Sequence, residues 1–198
     1  MDLFLFKVLV KMPYFAQITL NEVLEAEKEF YKLLREYWYD HNFLTPKWWF
    51  LVFLSILPAL FWWKFVDKKR LTEILTYGLF LGVIATILDS IGSNALAWTY
   101  PIRLTPYLYP QLYPYDVGVV IIPFMLVYQK WGHQMKSYAI ASLLLSFFIA
   151  FVAEPTMVWL GVYKEFTWKH IYSFPVYFVL ALICRWIIFF IKFQEDKN

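Results

Sequence analysis

Three carboxylates set in apolar surroundings are the residues of this chain best suited to chemistry. Asp89 lies in ILDSIGSNALAWTYP, residues 87–101, Asp116 precedes the apolar run VGVVIIPFMLV, and Glu154 lies within IAFVAEPTMVWL. Because a charge in hydrocarbon is costly, such acids face a bundle interior or water and are candidate functional groups. They could bind a cation, a proton or a polar head group, or act as acid and base on an apolar substrate.

Several neighbours could complete a polar site around these acids. Asn94 follows Asp89 by little more than one helical turn and offers an amide, and Trp98 and Tyr100 lie further along the same stretch. Pro155 directly follows Glu154, and its missing amide hydrogen leaves a backbone carbonyl free on the preceding turn. The candidate ligand-binding residues are therefore Asp89, Asn94, Trp98, Tyr100, Asp116 and Glu154.

Simpler roles stay open for these residues. Asp116 could cap the helix that it opens, since a carboxylate at a helix N-terminus accepts hydrogen bonds from free amides. Asp89 and Glu154 could hold neighbouring helices together through interhelical hydrogen bonds. Trp98 and Tyr100 could belong to the aromatic belt at a membrane interface.

The composition places these residues in a membrane protein. Of the 198 residues, 61% are hydrophobic, 23% are aromatic and only 17% are charged, whereas about a quarter of the residues in soluble domains are charged. The formal net charge is only +3, and the basic residues lie at the ends of apolar runs, which indicates membrane topology rather than nucleic-acid binding. The lipid bilayer is the predicted partner, and nucleic acid is not.

Apolar runs of about 20 residues predict five membrane crossings. The first, residues 46–67, has a tryptophan pair at each end, as at two membrane interfaces. The other four span about residues 71–98, 117–131, 138–163 and 174–193. The predicted fold is all-α: a polytopic membrane helix bundle of five transmembrane helices within residues 46–193, preceded by an N-terminal segment, residues 1–45, and followed by a tail, residues 194–198.

The N-terminal segment contains a predicted amphipathic helix over residues 19–39. Its apolar residues recur at three- and four-residue spacings, and Thr19 with Glu22 has the form of a capping box, so the helix should begin near Asn21. We expect a solvated helix that lies at the membrane interface. The helix is acidic, which disfavours anionic head groups and leaves packing on the protein itself or on a protein partner as the alternative. The preceding MDLFLFKVLVKMPYFAQ lacks a basic n-region, so we expect it to be retained rather than cleaved as a signal peptide.

The basic residues predict an external N-terminus and a cytoplasmic C-terminus, because short cytoplasmic segments carry an excess of Lys and Arg. With this orientation Asp89 lies about 27 Å along the second crossing, Glu154 reaches a similar depth on the fourth, and Asp116 opens the third from outside. The three acids then share an outward-facing cavity beneath the proline- and tyrosine-rich loop of residues 99–116. The basic residues at the predicted cytoplasmic ends are Lys64, Lys68, Lys69, Arg70, Lys130, Lys136, Lys192 and Lys197.

Cofactor and metal motifs are missing from the sequence. It contains no phosphate loop, nucleophile elbow or dinucleotide glycine pattern, so no cofactor is predicted. No tight spacing such as His-x-x-x-His occurs, so no metal site is predicted. The single cysteine, Cys184, lies in an apolar run and excludes an intrachain disulfide.

Six segments of the chain resemble an uncharacterised family of small multi-pass membrane proteins of spore-forming Gram-positive bacteria: PKWWF, WWKFVDKKRLTEIL, LDSIGSNALAWTYP, PFMLVYQ, AEPTMVWLGVY and WKHIYSFPVYF. The resemblance covers residues 46–191 and implies a protein of the bacterial plasma membrane, without implying an activity. A weaker similarity is to integral-membrane carotenoid cyclase domains, through Asp89, Gly92, Trp98 and Tyr100. Asp116 stands alone where those domains have paired glutamates, so this similarity implies a shared architecture rather than the same catalysis.

Three functions fit the sequence. The favoured one is binding or transport of a cation, a proton or a small polar or lipid ligand in the outward-facing acidic cavity. The second is an intramembrane acid-base enzyme, of isomerase or cyclase type, acting on an apolar substrate. The third is a structural or accessory membrane subunit that docks a protein partner through the N-terminal helix.

Overall fold

The computed structural model describes residues 18–108, 115–195 and 197, and 79% of these described residues are helical. Two short strands, β1 (Trp98–Thr99) and β2 (Lys164–Glu165), pair antiparallel beside the helices. The helices of the described residues are α1, Leu20–His41; α2, Pro46–Phe65; the 3-10 turn Lys68–Arg70 leading into α3, Leu71–Asn94; the π-helix π1, Tyr115–Ile121, leading into α4, Ile122–Trp131; α5, Met135–Phe148, leading through the π-helix π2, Ile149–Ala153, into α6, Glu154–Trp159; and α7, His170–Glu195.

Four helical stretches of the described residues are long and apolar enough to cross a membrane: Pro46–Phe65, Lys68–Asn94, Met135–Trp159 and His170–Glu195. This agrees with the predicted helical membrane architecture. The predicted third crossing is a continuous helical stretch of 17 residues, seven in π1 and ten in α4. It is shorter than the roughly 20 residues of a typical crossing.

The amphipathic helix α1 begins with the predicted capping box. The Thr19 side chain accepts a hydrogen bond from the Glu22 amide, and the Glu22 carboxylate accepts one from the Thr19 amide at 2.7 Å, which lowers the pKa of Glu22. At the other end, the Trp38 indole donates to the Arg103 carbonyl at 2.8 Å, and the Asn42 amide donates to the Pro101 carbonyl. Helix α1 is therefore anchored to the following loop by its last turn.

Two prolines shape α2. Pro46 lies in the first turn, where no amide donor is needed, and Thr45 caps the helix through the Trp48 amide. The helix continues past Pro58, which deprives the Leu54 carbonyl of its usual donor. Gly118 of π1 packs against that carbonyl, since a Cβ added at 118 would lie 2.7 Å from the Leu54 oxygen.

The stretch formed by π1 and α4 runs antiparallel to α3. Tyr77 stacks on Tyr128 with ring centroids 4.3 Å apart, and five residues further along α3 Gly82 faces the Ile121 side chain. Ascending numbers on α3 therefore meet descending numbers on α4 and π1. Glycine on α3 allows the two helices to approach closely.

A buried tyrosine pair joins α3 to α5 and α7. The hydroxyls of Tyr77 and Tyr138 lie 2.8 Å apart, and Tyr138 donates to the Ala181 carbonyl at 2.8 Å. Both rings are fully buried. Because each hydroxyl has a partner, this part of the interior buries polar atoms without leaving them unsatisfied.

Glu73 joins three parts of the bundle at the end opposite to the strands. Its two carboxylate oxygens accept hydrogen bonds from the Arg70 guanidinium, from the Tyr128 hydroxyl at 2.6 Å and from the Lys192 ammonium at 3.0 Å. Arg70 also donates to the Gln129 carbonyl at 2.9 Å. The α2–α3 turn, the end of α4 and the end of α7 therefore meet here, and we call this part the basic end.

Two predicted helix ends were placed too late. The second crossing was predicted to reach Trp98 and the fourth Tyr163, but α3 ends at Asn94 and α6 at Trp159. The reason is backbone geometry that the apolar pattern hides, since Leu96 and Gly161 have φ angles of 53° and 68° and reverse the chain. The predicted retention of the first 17 residues, and residues 109–114 of the loop, lie outside the described residues.

We predict that Glu73→Gln destabilises the bundle. The substitution removes a carboxylate that is 14% exposed while leaving two cations beside it, which should lower the free energy of unfolding by about 2–3 kcal/mol. The expected fall in Tm, measured by tryptophan fluorescence in detergent, is roughly 4–12 °C.

Glu25→Gln is the matched control for this prediction. It removes the carboxylate of an ion pair with Lys28 in which both side chains are more than 70% exposed, so the change should be about 0–1 kcal/mol. Equal Tm values for the two variants would show that the Glu73 network contributes no special stability.

Candidate functional site

Asp89 is buried on α3 and receives two donors from the segment that follows the helix. Only 6% of the surface of this residue is exposed. The Trp98 indole donates to Oδ1 at 2.7 Å, and the Tyr100 hydroxyl donates to the same oxygen at 2.6 Å. Oδ2 is buried without a hydrogen-bond partner among the described residues. Asp89 thus keeps one acceptor free.

The turn after α3 brings Trp98 back to Asp89. The Ala97 amide donates to the Gly92 carbonyl and the Leu96 amide to the Ser93 carbonyl, which is the Schellman pattern with Leu96 in the left-handed position. The indole of Trp98 then lies against Gly92, where any Cβ would overlap the ring. Glycine at 92 is therefore required for this hydrogen bond to Asp89.

The loop that carries Tyr100 is held from the α1 side. The Arg103 amide donates to the Asn42 side chain at 2.6 Å, and the Trp48 indole donates to the Leu104 carbonyl at 3.0 Å. On the other side, β1 pairs with β2 in the register Trp98 to Glu165 and Thr99 to Lys164. The donors of Asp89 are thus positioned by contacts with residues that precede α3 and with residues that follow α6.

Glu154 is the first residue of α6 and follows the π-helix π2. Pro155, the next residue, has no amide hydrogen, and the regular α pattern is interrupted just before it. The Tyr177 hydroxyl of α7 donates to Glu154 Oε1 at 2.6 Å. Oε2 is buried and has no hydrogen-bond partner among the described residues.

Asp116 lies in the first turn of π1. Like π2, which is followed by Pro155, this π-helix ends two residues before a proline, Pro123. Its Oδ2 is buried without a hydrogen-bond partner in the described part of the chain. Next to it, Tyr115 is buried and its hydroxyl donates to the Val162 carbonyl at 2.8 Å. This bond fixes the start of π1 against the segment that follows α6.

The three carboxylates line one cavity of about 110 Å³. Since roughly 10–15 Å³ of such space holds one water molecule, the cavity can hold a small ligand rather than a single water. Apart from Ser173, the other lining residues are apolar or aromatic. The aromatic residues that line it are Trp98, Tyr100, Tyr115, Tyr163, Trp168 and Tyr177.

The cavity is acidic. Its lining contains three carboxylates, and none of the described residues that line it is Lys, Arg or His. Arg103 is buried behind Tyr100 and donates from Nε to the Tyr100 carbonyl at 3.0 Å. Burial, reinforced by the charges of Asp116 and Asp89, raises the pKa of Tyr100 well above its ordinary value. The Tyr100 hydroxyl therefore keeps its proton and remains a donor to Asp89.

The structure brings together five of the six residues that the sequence singles out: Asp89, Trp98, Tyr100, Asp116 and Glu154. Asn94 does not join them. It is exposed and lies in a shallow groove beside Val23 and Phe30 of α1. Five positions after Asp89 correspond to about 140° around a helix, so Asn94 points away from the cavity.

Three further aromatic residues line the cavity although the sequence does not single them out: Tyr115, Trp168 and Tyr177. Tyr177 follows Ser173 by four positions on the buried side of α7, and both line the cavity. Two polar residues at this spacing in an apolar helix share one face, so this signal was available. Nothing in the sequence distinguishes Trp168 and Tyr115 from their neighbours, because other aromatic residues recur on both sides of each in the sequence.

The described residues contain no group of three His, Cys, Asp or Glu side chains placed to hold a metal ion. His170, the histidine nearest in sequence to the cavity lining, lies 3.7 Å from Glu165. Comparison of the chain with family models, curated proteins and solved structures gives no match. The geometry of the cavity is therefore the guide to its chemistry.

We predict that Gly92→Ala displaces Trp98 from Asp89. The added methyl group would occupy the space of the indole ring, and overpacking of this kind costs about 1–3 kcal/mol. With fluorotryptophan labelling, the ¹⁹F resonance of Trp98, assigned from Trp98→Phe, should shift.

Gly82→Ala is the control on the same helix, because its new Cβ would meet only the end of the Ile121 side chain at 3.1 Å. Its Trp98 resonance should stay in place. An unshifted Trp98 resonance in Gly92→Ala would contradict the role assigned to this glycine.

Proposed function

We propose that this chain is a five-crossing protein of a bacterial plasma membrane that binds or transports a small cationic ligand in an outward-facing cavity. The observation that carries the proposal is the convergence of Asp89, Asp116 and Glu154 on one cavity, each with a buried oxygen that lacks a partner among the described residues. A positive ligand would satisfy these oxygens.

Carboxylates removed from water need donors or positive charge, and an unpaired one destabilises the protein strongly. The aromatic donors satisfy one oxygen each of Asp89 and Glu154. Irregular backbone beside carboxylates is also a feature of cation sites in membrane transporters, and here π1 and π2 carry or adjoin two of the three acids.

The fifth crossing is supported by the course of π1 and α4. This stretch runs antiparallel to α3 from the cavity, which Asp116 lines, to Tyr128 beside Glu73 at the basic end. A chain that runs the length of a membrane-spanning neighbour has itself to pass through the membrane. Tilt and local thinning of the bilayer accommodate a helix a few residues short.

The proposed orientation rests on where the basic residues lie. Arg70 and Lys192 meet at Glu73, and Arg185 donates to the Gly132 carbonyl in the turn between α4 and α5. The α2–α3 and α4–α5 turns and the end of α7 form this basic end, which we place in the cytoplasm. The cavity, at the other end of α3, then faces outward, and the sequence resemblance to bacterial membrane proteins agrees with this setting.

We predict that cysteines placed at 108 and 134 lie on opposite sides of the membrane. In a Cys184→Ser background, Leu108→Cys should react with a membrane-impermeant maleimide in intact bacterial cells. Gln134→Cys, in the α4–α5 turn, should react only after lysis. Both positions are exposed. The maleimide labelling of the Cys184→Ser parent, which has no cysteine, gives the background signal.

Each alternative has its own labelling pattern. Reaction of both cysteines on the same side would refute the fifth crossing, since only residues 115–131 form a helix between them in the described chain. Reaction of Gln134→Cys alone in intact cells would leave the fifth crossing in place and reverse the orientation.

We predict that a small cationic species copurifies with the protein and is lost when the cavity charge is removed. Native mass spectrometry in gentle detergent should show the bound mass in the wild type and at least a tenfold smaller fraction in Asp89→Asn and Glu154→Gln, because each change removes a negative charge from the cavity.

Asp40→Asn is the control for this experiment, since Asp40 is an exposed acid on α1 and its loss should leave the bound fraction unchanged. A bound mass that survives in both cavity variants would refute the proposed site. A turnover product of altered mass would instead favour the acid-base enzyme.

A further inference from the structure

The cavity has many hydrogen-bond acceptors and few free donors. Asp89 is a buried residue with 6% of its surface exposed, and its Oδ2 is buried without a partner among the described residues. Glu154 Oε2 and Asp116 Oδ2 are also buried atoms without a hydrogen-bond partner among the described residues. All three residues line the same space, so the protein presents three acceptor groups that it does not satisfy itself.

Most aromatic donors on the cavity wall are spent within the protein, whereas the Ser173 hydroxyl accepts from Trp168 and keeps its own proton to donate. Trp98 and Tyr100 donate to Asp89, Tyr177 donates to Glu154, Tyr115 donates to the Val162 carbonyl, and the Trp168 indole donates to the Ser173 hydroxyl at 2.9 Å. Five of the six aromatic residues on the wall are thus committed. A ligand that needs donors from the protein, such as a carboxylate, phosphate or carbonyl compound, finds few.

The converse requirement fixes the polar part of the ligand. A group that satisfies free carboxylate oxygens has to carry N–H or O–H donors, and in an acidic cavity a positive charge adds to its binding. A quaternary ammonium has the charge but no donor, whereas a neutral alcohol has a donor but no charge. An ammonium group with N–H bonds has both.

The rest of the wall fixes the other part of the ligand. Aliphatic side chains, including Val120, Val176 and Leu180, line the cavity together with the aromatic rings. Apolar walls favour an apolar body, and ring faces attract a cationic head. A bare metal ion would need several oxygen ligands converging at one point, and the described residues contain no such group.

We propose that the ligand of the cavity is a protonated primary amine with a short apolar body. The inference rests on the proposed function, because it names the class of cation that this site accepts. In the complex, the ammonium group donates an N–H bond to the free oxygen of Asp89, and the negative charges of Asp116 and Glu154 on the same cavity add to its attraction. The alkyl or aryl body lies against the aliphatic and aromatic walls.

The test is isothermal titration calorimetry of the full chain in detergent with n-butylammonium as the probe. Three comparison compounds lack properties of the probe: 1-butanol has no charge, tetramethylammonium has no N–H donor, and Na⁺ has neither an N–H donor nor an apolar body. We expect n-butylammonium to bind at least ten times more tightly than each of the three. We also expect Asp89→Asn to weaken its binding at least tenfold.

Variants separate loss of the ligand from loss of the fold. Asp89→Asn keeps the shape of the side chain, and a cooperative thermal transition by tryptophan fluorescence would show that the variant remains folded. If that variant does not fold, Glu154→Gln takes its place. Val176→Phe fills the cavity without changing its charge, so it should weaken n-butylammonium more than methylammonium, while Asp40→Asn should change neither.

The outcomes distinguish this inference from the proposed function. Binding of Na⁺ or tetramethylammonium as tight as that of n-butylammonium, and dependent on Asp89, would overturn the amine and leave the cation site. Binding of 1-butanol equal to that of n-butylammonium would overturn both, since charge would then play no part. Absence of binding by every compound would overturn the amine, and an empty native mass spectrum would overturn the cation site as well.

Discussion

Carboxylates buried in a helix bundle have to receive their hydrogen bonds from other parts of the same chain, and much of this structure depends on that constraint. Asp89 on α3 takes donors from β1 and the loop after it, Glu154 on α6 takes one from α7, and Glu73 takes donors from the α2–α3 turn, α4 and α7. Glu154 and Glu73 therefore join elements that are distant in sequence, and Asp89 holds the segment that follows its own helix. The apolar surfaces bring the helices together, but these bonds select which faces meet.

The two ends of the bundle meet the constraint differently. At the basic end, both oxygens of Glu73 are satisfied by two cationic side chains and a tyrosine, and the tyrosine pair of α3 and α5 packs beside them. At the cavity end, Asp89 and Glu154 each keep a buried oxygen without a partner in the described chain, and no basic side chain lines the space. A fully satisfied network stabilises, whereas a half-satisfied one costs stability unless a ligand completes it. This asymmetry separates a structural acid from acids suited to binding.

The sequence predicted the meeting of the acids but not the way they are held. The rise of a helix is fixed, so alternating direction and residue counting were enough to place Asp89, Asp116 and Glu154 in one layer. Counting along the axis says less about rotation, and Asn94 was wrongly included for that reason. The return of Trp98 to Asp89 depends on Leu96 in a left-handed conformation, which leucine seldom adopts, so a continued apolar helix was the natural prediction.

Irregular backbone is concentrated where the acids are. Asp116 lies in π1, Glu154 directly follows π2, and Asp89 precedes a turn with a left-handed leucine, whereas the part of α3 beside Tyr77 and Glu73 is regular helix. Such departures cost stability and are retained where they position a functional group. A purely structural acid needs none of them, as Glu73 shows from a regular turn of α3. The cost of the irregular backbone at the cavity end therefore favours a binding role for its three acids over interhelical support alone.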